Sequence, residues 1–269
     1  MKRTFVVLSF LSFAALTAQA AHHQDNFEDS PPFIMGALGD SITTAVNANG
    51  WGAIIEESWA TGKSPSQQVK SHWQRLGTVL ARPIEPHNVA QGGATAASLD
   101  GQLNQLLTVT PDYVTVLMGA NDVCSWNDGY DEKIATYLQR MRKAVERMIA
   151  ANHEVKIYLS PIPNLFKVWQ VGNQHGCQWF WDLTNICAGM FHSQRTPAQR
   201  DDFVALIYQT NAGLESLAAE YPLNIKFDAS LVDLPIAWAH ISSYDCFHPS
   251  LAGQNMLAEK TWQTGWYAP

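Results

Sequence analysis

The chain has 269 residues, 46% of them hydrophobic, with 17 glycines and 13 prolines; that composition excludes a disordered or collagen-like protein. Only 15% of residues are charged, against about 25% in an average soluble domain, while ten are tryptophan. The formal net charge of −7 argues against unaided binding to nucleic acid or to anionic headgroups.

The first twenty residues read as a secretory signal peptide. Lys2 and Arg3 precede an apolar stretch, and Ala18-Gln19-Ala20 supplies a small-residue cleavage site. The stretch falls short of the about 20 apolar residues that a spanning helix needs. Residues 21–269 carry no linker or internal repeat and are expected to form one domain. Strands are predicted at 33–39, 86–90, 113–118, 155–159 and 225–227. Between them, 131–152 repeats Ile134, Leu138, Met141, Val145 and Met148 at helical spacing, and 197–221 repeats Phe203, Ile207, Leu214 and Leu217. Thr196 caps the second of these helices, with Pro197 in its first turn. Strands alternating with helices imply a parallel sheet covered on both faces. The segment 164–195 has no clean period and reads as a long loop. In open α/β sheets ligands sit beyond the carboxyl ends of the strands, where this loop begins.

Four short motifs fall at such positions. Gly39-Asp40-Ser41 ends the first predicted strand and leads into an expected helix. Asn88-Val89-Ala90-Gln91-Gly92-Gly93 ends the second, Gly119-Ala120-Asn121-Asp122 ends the third, and Asp245-Cys246-Phe247-His248-Pro249 precedes the last helix. A serine hydroxyl needs a base to become a nucleophile. An imidazole, with an unperturbed pKa of about 6.5, is suited to that task at His248. Asp245, three residues earlier, can reach the other ring nitrogen within one tight turn and hold the tautomer. The Ser41 and Gly93 backbone N–H groups and the Asn121 amide can converge on the oxyanion of an acyl transfer. Each motif alone has a plainer reading as a turn or helix cap; the four in this order favour catalysis.

The four blocks resemble those of the SGNH (GDSL-type) hydrolase superfamily. The resemblance spans residues 38–254. It places Ser41, Gly93, Asn121 and His248 in the four family positions, with Asp245 completing a triad. It implies a three-layer α/β/α sandwich with a flavodoxin-like five-stranded parallel sheet, no metal and no cofactor. The wording of the blocks, from Ala37-Leu38-Gly39-Asp40-Ser41 to Asp245-Cys246-Phe247-His248, is similar to the phospholipase B-like branch. That likeness implies esters of long-chain acids, lysophospholipids and phospholipids among them. Acetylated carbohydrates, short-chain esters and thioesters are the alternative substrates on the same fold, and a non-catalytic binding module is the alternative of another class.

Other motifs do not hold. Gly62-Lys63-Ser64 lacks the earlier glycine of a phosphate-binding loop, since position 57 is Glu57. No Gly-x-Ser-x-Gly elbow is present, and no His/Cys spacing suggests zinc. For an exported chain, Cys124, Cys177, Cys187 and Cys246 are expected to form two disulfides. Three pairings are open; Cys177 with Cys187, close in sequence, is favoured, leaving Cys124 with Cys246. Trp126, Trp169, Trp179 and Trp181 are candidates to line an acyl groove or make transient contact with a lipid surface. Trp51, Trp59, Trp73, Trp238, Trp262 and Trp266 are assigned to packing.

Overall fold

A computed structural model describes residues 31–269; the expected signal peptide, 1–20, lies outside the described residues. The chain opens with strand β1 (Phe33–Gly39), followed after a long turn region by helix α1 (His72–Leu80), β2 (Ile84–Asn88) and α2 (Leu99–Leu106). Strand β3 (Tyr113–Leu117) leads into α3 (Ala120–Ser125) and the long α4 (Tyr130–Ala151). After β4 (Lys156–Leu159) come three short helices, α5 (Leu165–Gln174), α6 (Gln178–Thr184) and α7 (Ala188–Phe191). Helix α8 (Pro197–Glu220), β5 (Ile225–Lys226) and α9 (Leu251–Gln263) complete the order.

The five strands are all parallel, in the order β2-β1-β3-β4-β5. This is the flavodoxin-like order expected from the sequence, with its reversal at β1 and β3. Strand periodicity divides the core. Leu38, Val114, Val116, Ile157 and Leu159 face one cluster, shared with Leu103 of α2, Met141 of α4 and Leu214 of α8. Met35, Ala37, Tyr113 and Tyr158 face the other, with Leu76 of α1 and Trp262 of α9. Successive strand side chains point to opposite faces, so both faces carry helices and the three-layer α/β/α sandwich follows. His72 is buried in the second layer, hydrogen-bonded to the Tyr113 hydroxyl at 2.7 Å and to Thr261 Oγ1 at 2.8 Å. Burial pushes its imidazole down to about 3, so it is a neutral packing residue.

The predicted strand positions hold to within two residues, and α4 and α8 lie where the periodicity put them. Thr196 forms the expected cap, its Oγ1 accepting from the Gln199 N–H at 3.2 Å. Two expectations differ. The segment 164–195 is not a loop but the three short helices α5 to α7. The helix expected directly after Ser41 is a run of turns, because Ala45 (φ 51°) and Asn47 (φ 57°) adopt left-handed backbone that a right-handed helix cannot contain. Among the described residues no helix is long and apolar enough to cross a membrane.

Candidate active site

The carboxyl end of β1 is fixed by buried amides. Gln102 of α2 accepts from the Gly39 N–H at 3.0 Å and donates to the Gly39 carbonyl at 2.8 Å. Gln254 of α9 donates to the Ile42 carbonyl at 2.9 Å. Ser41 therefore sits on a turn held from both helical layers. Asp40 beside it is fully buried, and its Oδ1 accepts from the Ile42 N–H at 2.9 Å. Burial pushes this carboxyl up to about 7, against the opposing pull of that N–H. Asp40 thus carries its proton part of the time near neutrality and adds less than a full negative charge beside Ser41.

The second and third blocks are clamped together. Asp122 Oδ2 accepts from the Ala96 N–H at 3.0 Å, and the Asn121 amide donates to the Ala94 carbonyl at 2.9 Å. Burial raises Asp122 to about 6, opposed by the Ala96 N–H. Between these anchors Gly93 has φ +75°, a left-handed conformation that glycine adopts without strain. The adjacent Gly92 has no positive φ, so Gly93 is the glycine of the doublet whose backbone shape demands that residue.

The fourth block is a tight turn around Asp245. Its Oδ1 accepts from the Phe247 N–H at 2.9 Å and the His248 N–H at 3.0 Å. Its Oδ2 accepts from His248 Nδ1 at 2.5 Å and from the Asn47 amide at 2.6 Å. Burial works to raise the Asp245 carboxyl, but His248 and Asn47 together hold it below the ordinary carboxylate value. An ionised carboxylate only accepts, so the imidazole hydrogen is on Nδ1 and the Nε2 lone pair is left available.

Ser41, Gly92, Gly93, Asn121 and His248 line one open cleft with about 640 Å³ of free space, mouth included. The five candidate residues of the sequence thus come together: four on the cleft wall, and Asp245 behind His248. Asn47 is the partner that sequence reasoning missed. The Asn47-Ala48-Asn49-Gly50 run reads only as a turn, and nothing in it announces a contact across 198 positions. Asn88 is a strand-end brace, as its position suggested: its amide donates to Thr61 Oγ1 at 2.8 Å.

The disulfide pairing favoured from sequence proximity is overturned. The bridges are Cys124–Cys187 and Cys177–Cys246. Cys177 and Cys187 precede α6 and α7, and the seven residues of α6 span about 10 Å. A disulfide needs Cα atoms within about 7 Å, so α6 carries the two apart and each meets a cysteine of the sheet's carboxyl end. Cys124–Cys187 lines the cleft. Cys246 lies inside the Asp245–His248 turn with φ +58°, and its bridge ties that turn to α6.

The tryptophans divide differently from expectation. Trp181 is fully buried and so is not an exposed substrate surface. It stacks on Phe191 at 4.8 Å, and its Nε1 donates to the Cys246 carbonyl at 3.2 Å. Phe191 meets Phe247 edge-on, and Phe247 meets the His248 ring edge-on at 4.8 Å. Trp126 packs edge-on against Tyr137, and Trp169 lies between Phe166 and the Arg200 guanidinium; neither lines the cleft. Trp179 is 67% exposed, beside an equally exposed Leu183 one turn along α6. Trp51, assigned to packing, is in fact 72% exposed and touches Tyr244 edge-on.

A parallel sheet with a serine, an oriented histidine and clustered amide donors at its carboxyl ends defines an α/β serine-type hydrolase. The GDSL-like Lipase/Acylhydrolase family matches residues 37–256, and the chain belongs to it. It is a carboxylic ester hydrolase acting on small-molecule esters. Among solved structures it is similar to the lipase Lip_vut3 from goat rumen metagenome, with 17% identity over 88% of this chain and 98% of that one at a TM-score of 0.56. An extracellular lipase from Streptomyces rimosus is 14% identical over 87% and 100%, with a TM-score of 0.52. The esterase EstA from Pseudoalteromonas sp. is 14% identical over 86% and 95%, with a TM-score of 0.51. These distant likenesses concern the fold. No curated protein matches the chain.

Proposed function

We propose that the protein is an exported esterase of long-acyl lipids, of the lysophospholipase or phospholipase type, working through an acyl-enzyme on Ser41. The observation that carries the mechanism is the 2.5 Å contact between Asp245 Oδ2 and His248 Nδ1 on the wall of the cleft that Ser41 lines. His248 Nε2 takes the hydroxyl proton as Ser41 Oγ bonds to the ester carbonyl carbon. Asp245, steadied by Asn47, stabilises the imidazolium. The Ser41 and Gly93 N–H groups and the Asn121 amide receive the oxyanion. His248 returns the proton to the departing alcohol as the carbon–oxygen bond breaks. Water then attacks the acyl-enzyme, its proton passing to His248 and on to Ser41 as the acid leaves.

The lipid assignment is supported by the exposed Trp179 and Leu183 pair on α6, which is linked to the His248 turn through Cys177. Contact with a lipid surface is transient and apolar, since the chain is net negative. Export is supported by the sequence of residues 1–20 and by the two bridges, which belong to oxidising compartments; residues 21–269 then form the one mature domain.

Ser41→Ala is expected to abolish hydrolysis of aryl and lysophospholipid esters while leaving the thermal transition in place. Activity retained by Ser41→Ala overturns the mechanism. A profile confined to acetyl esters overturns the lipid assignment.

A further inference from the structure

A second cavity lies behind His248. Phe247 and His248 line both it and the open cleft, so the two spaces adjoin at these residues. The second space is a narrow crevice with about 710 Å³ of free volume, mouth included. Its partly exposed rim includes Pro163, Ile236, His240 and Met256. Its buried depth includes Ile42, Leu117, Leu231 and Leu257. Ile42 directly follows Ser41, so the crevice reaches the nucleophile turn as well as the histidine.

The two spaces differ in chemistry. The cleft carries the amide and hydroxyl groups of the reaction. The crevice has no Asp, Glu, Lys or Arg in its lining, and its polar side chains are Ser160, His240 and His248. Each of those three already makes a bond within the protein. Ser160 Oγ donates to the Pro161 carbonyl at 3.3 Å, His240 Nδ1 accepts from the Ala237 N–H at 3.0 Å, and His248 Nδ1 is bonded to Asp245. A sugar, a phosphate or a free carboxylate would lose its hydration there with little in return. A hydrocarbon loses nothing polar and gains by burial. The narrowness favours an unbranched chain.

We infer that this crevice is a chain-binding subsite, which receives one unbranched hydrocarbon arm of the ester past Phe247 while the carbonyl sits at Ser41. The inference rests on the ester-hydrolase reading and adds the place where chain length is sensed. Both the acyl arm and the alcohol arm of an ester offer this chemistry. Each methylene seated in the crevice raises kcat/KM by roughly three- to fourfold until the space is filled.

The test has a binding part and a kinetic part on the full chain. Calorimetry with 1-decanol, a neutral chain with no scissile bond, is expected to show binding that Ile236→Trp and Ile236→Asp each weaken at least tenfold. The first fills the mouth and the second charges it; Ile236 is partly exposed, and Met256→Trp, at another partly exposed lining residue, is a second filling variant. In the kinetic part, aryl esters of acetate to decanoate vary the acyl arm, and alkyl acetates from methyl to decyl vary the alcohol arm. A rise along one series that Ile236→Trp flattens assigns that arm to the crevice. No decanol binding, binding indifferent to all three variants, or a wild-type rise that the variants leave intact overturns the subsite while the ester reaction stands. Decanol binding with no hydrolysis of any ester instead overturns the reaction reading and leaves an apolar-chain site.

Discussion

The carboxyl end of the sheet and the helical insert α5 to α7 both build the cleft, but they are held by different physics. At the sheet end each block is pinned by polar hydrogen bonds: Gln102 on Gly39, Asp122 on Ala96, Asp245 on the N–H groups of its own turn. The insert is held by covalent and aromatic contacts: two disulfides spanning 63 and 69 positions, and a chain of ring contacts from Trp181 through Phe191 and Phe247 to His248. The sheet end supplies the reacting groups, while the insert braces them and walls them in. Damage to the first should cost rate with little stability; damage to the second should cost both.

The largest effect belongs to the sheet end. Asn121→Ala removes an amide expected to receive the oxyanion, so kcat should fall by about 100- to 1000-fold. The thermal transition should move little, because the lost bond to Ala94 is partly exposed. Kinetics and thermal melts on the one variant check this. A loss below tenfold would make Asn121 a brace like Asp122 and blur the division.

Removing the Cys177–Cys246 bridge by paired substitution to Ser tests the other side. Loss of a native disulfide typically costs about 2–5 kcal/mol, and urea unfolding would read it. Freed from α6, the turn carrying His248 keeps its own hydrogen bonds, the Asn47 bond to Asp245 and the contacts of Trp181 and Phe191. A misplacement on the order of 1 Å lowers kcat by up to about a hundredfold. A folded, destabilised variant with wild-type kcat would show that Asp245 and Asn47 position His248 without help from the insert.

The same division explains what could be read from the sequence. The sheet end was legible because each of its reacting groups sits in a short local motif at a strand end or before a helix. A β-branched run such as 113–117 makes a buried strand, and Asp245 and His248 are three residues apart on one turn. The insert was not legible, because aperiodic short helices carry no hydrophobic repeat to detect. Sequence proximity favoured Cys177 with Cys187, yet α6 separates them, and a helix of seven residues among scattered aromatics leaves no clear signature. Asn47 falls between the cases. Its left-handed turn suits an asparagine, but its bond to Asp245 is set by how β1 and α9 pack, which no local pattern encodes.

The smallest effect concerns the outer face of the insert. Trp181 braces the His248 turn from within, while Trp179, two positions earlier, points its ring at solvent with Leu183 beside it. If that pair meets lipid, Trp179→Ala should lower the ratio of micellar to monomeric ester hydrolysis by about three- to tenfold, the worth of part of one large apolar side chain removed from water. Trp181→Phe, which keeps an aromatic ring in the stack but loses the bond to the Cys246 carbonyl, should lower both rates together and leave the ratio unchanged. Equal losses on both substrates for Trp179→Ala would mean that the whole insert acts as a brace. The opposite result would give one short helix two faces with separate duties: one holding the turn that carries His248, the other bringing the cleft to its substrate.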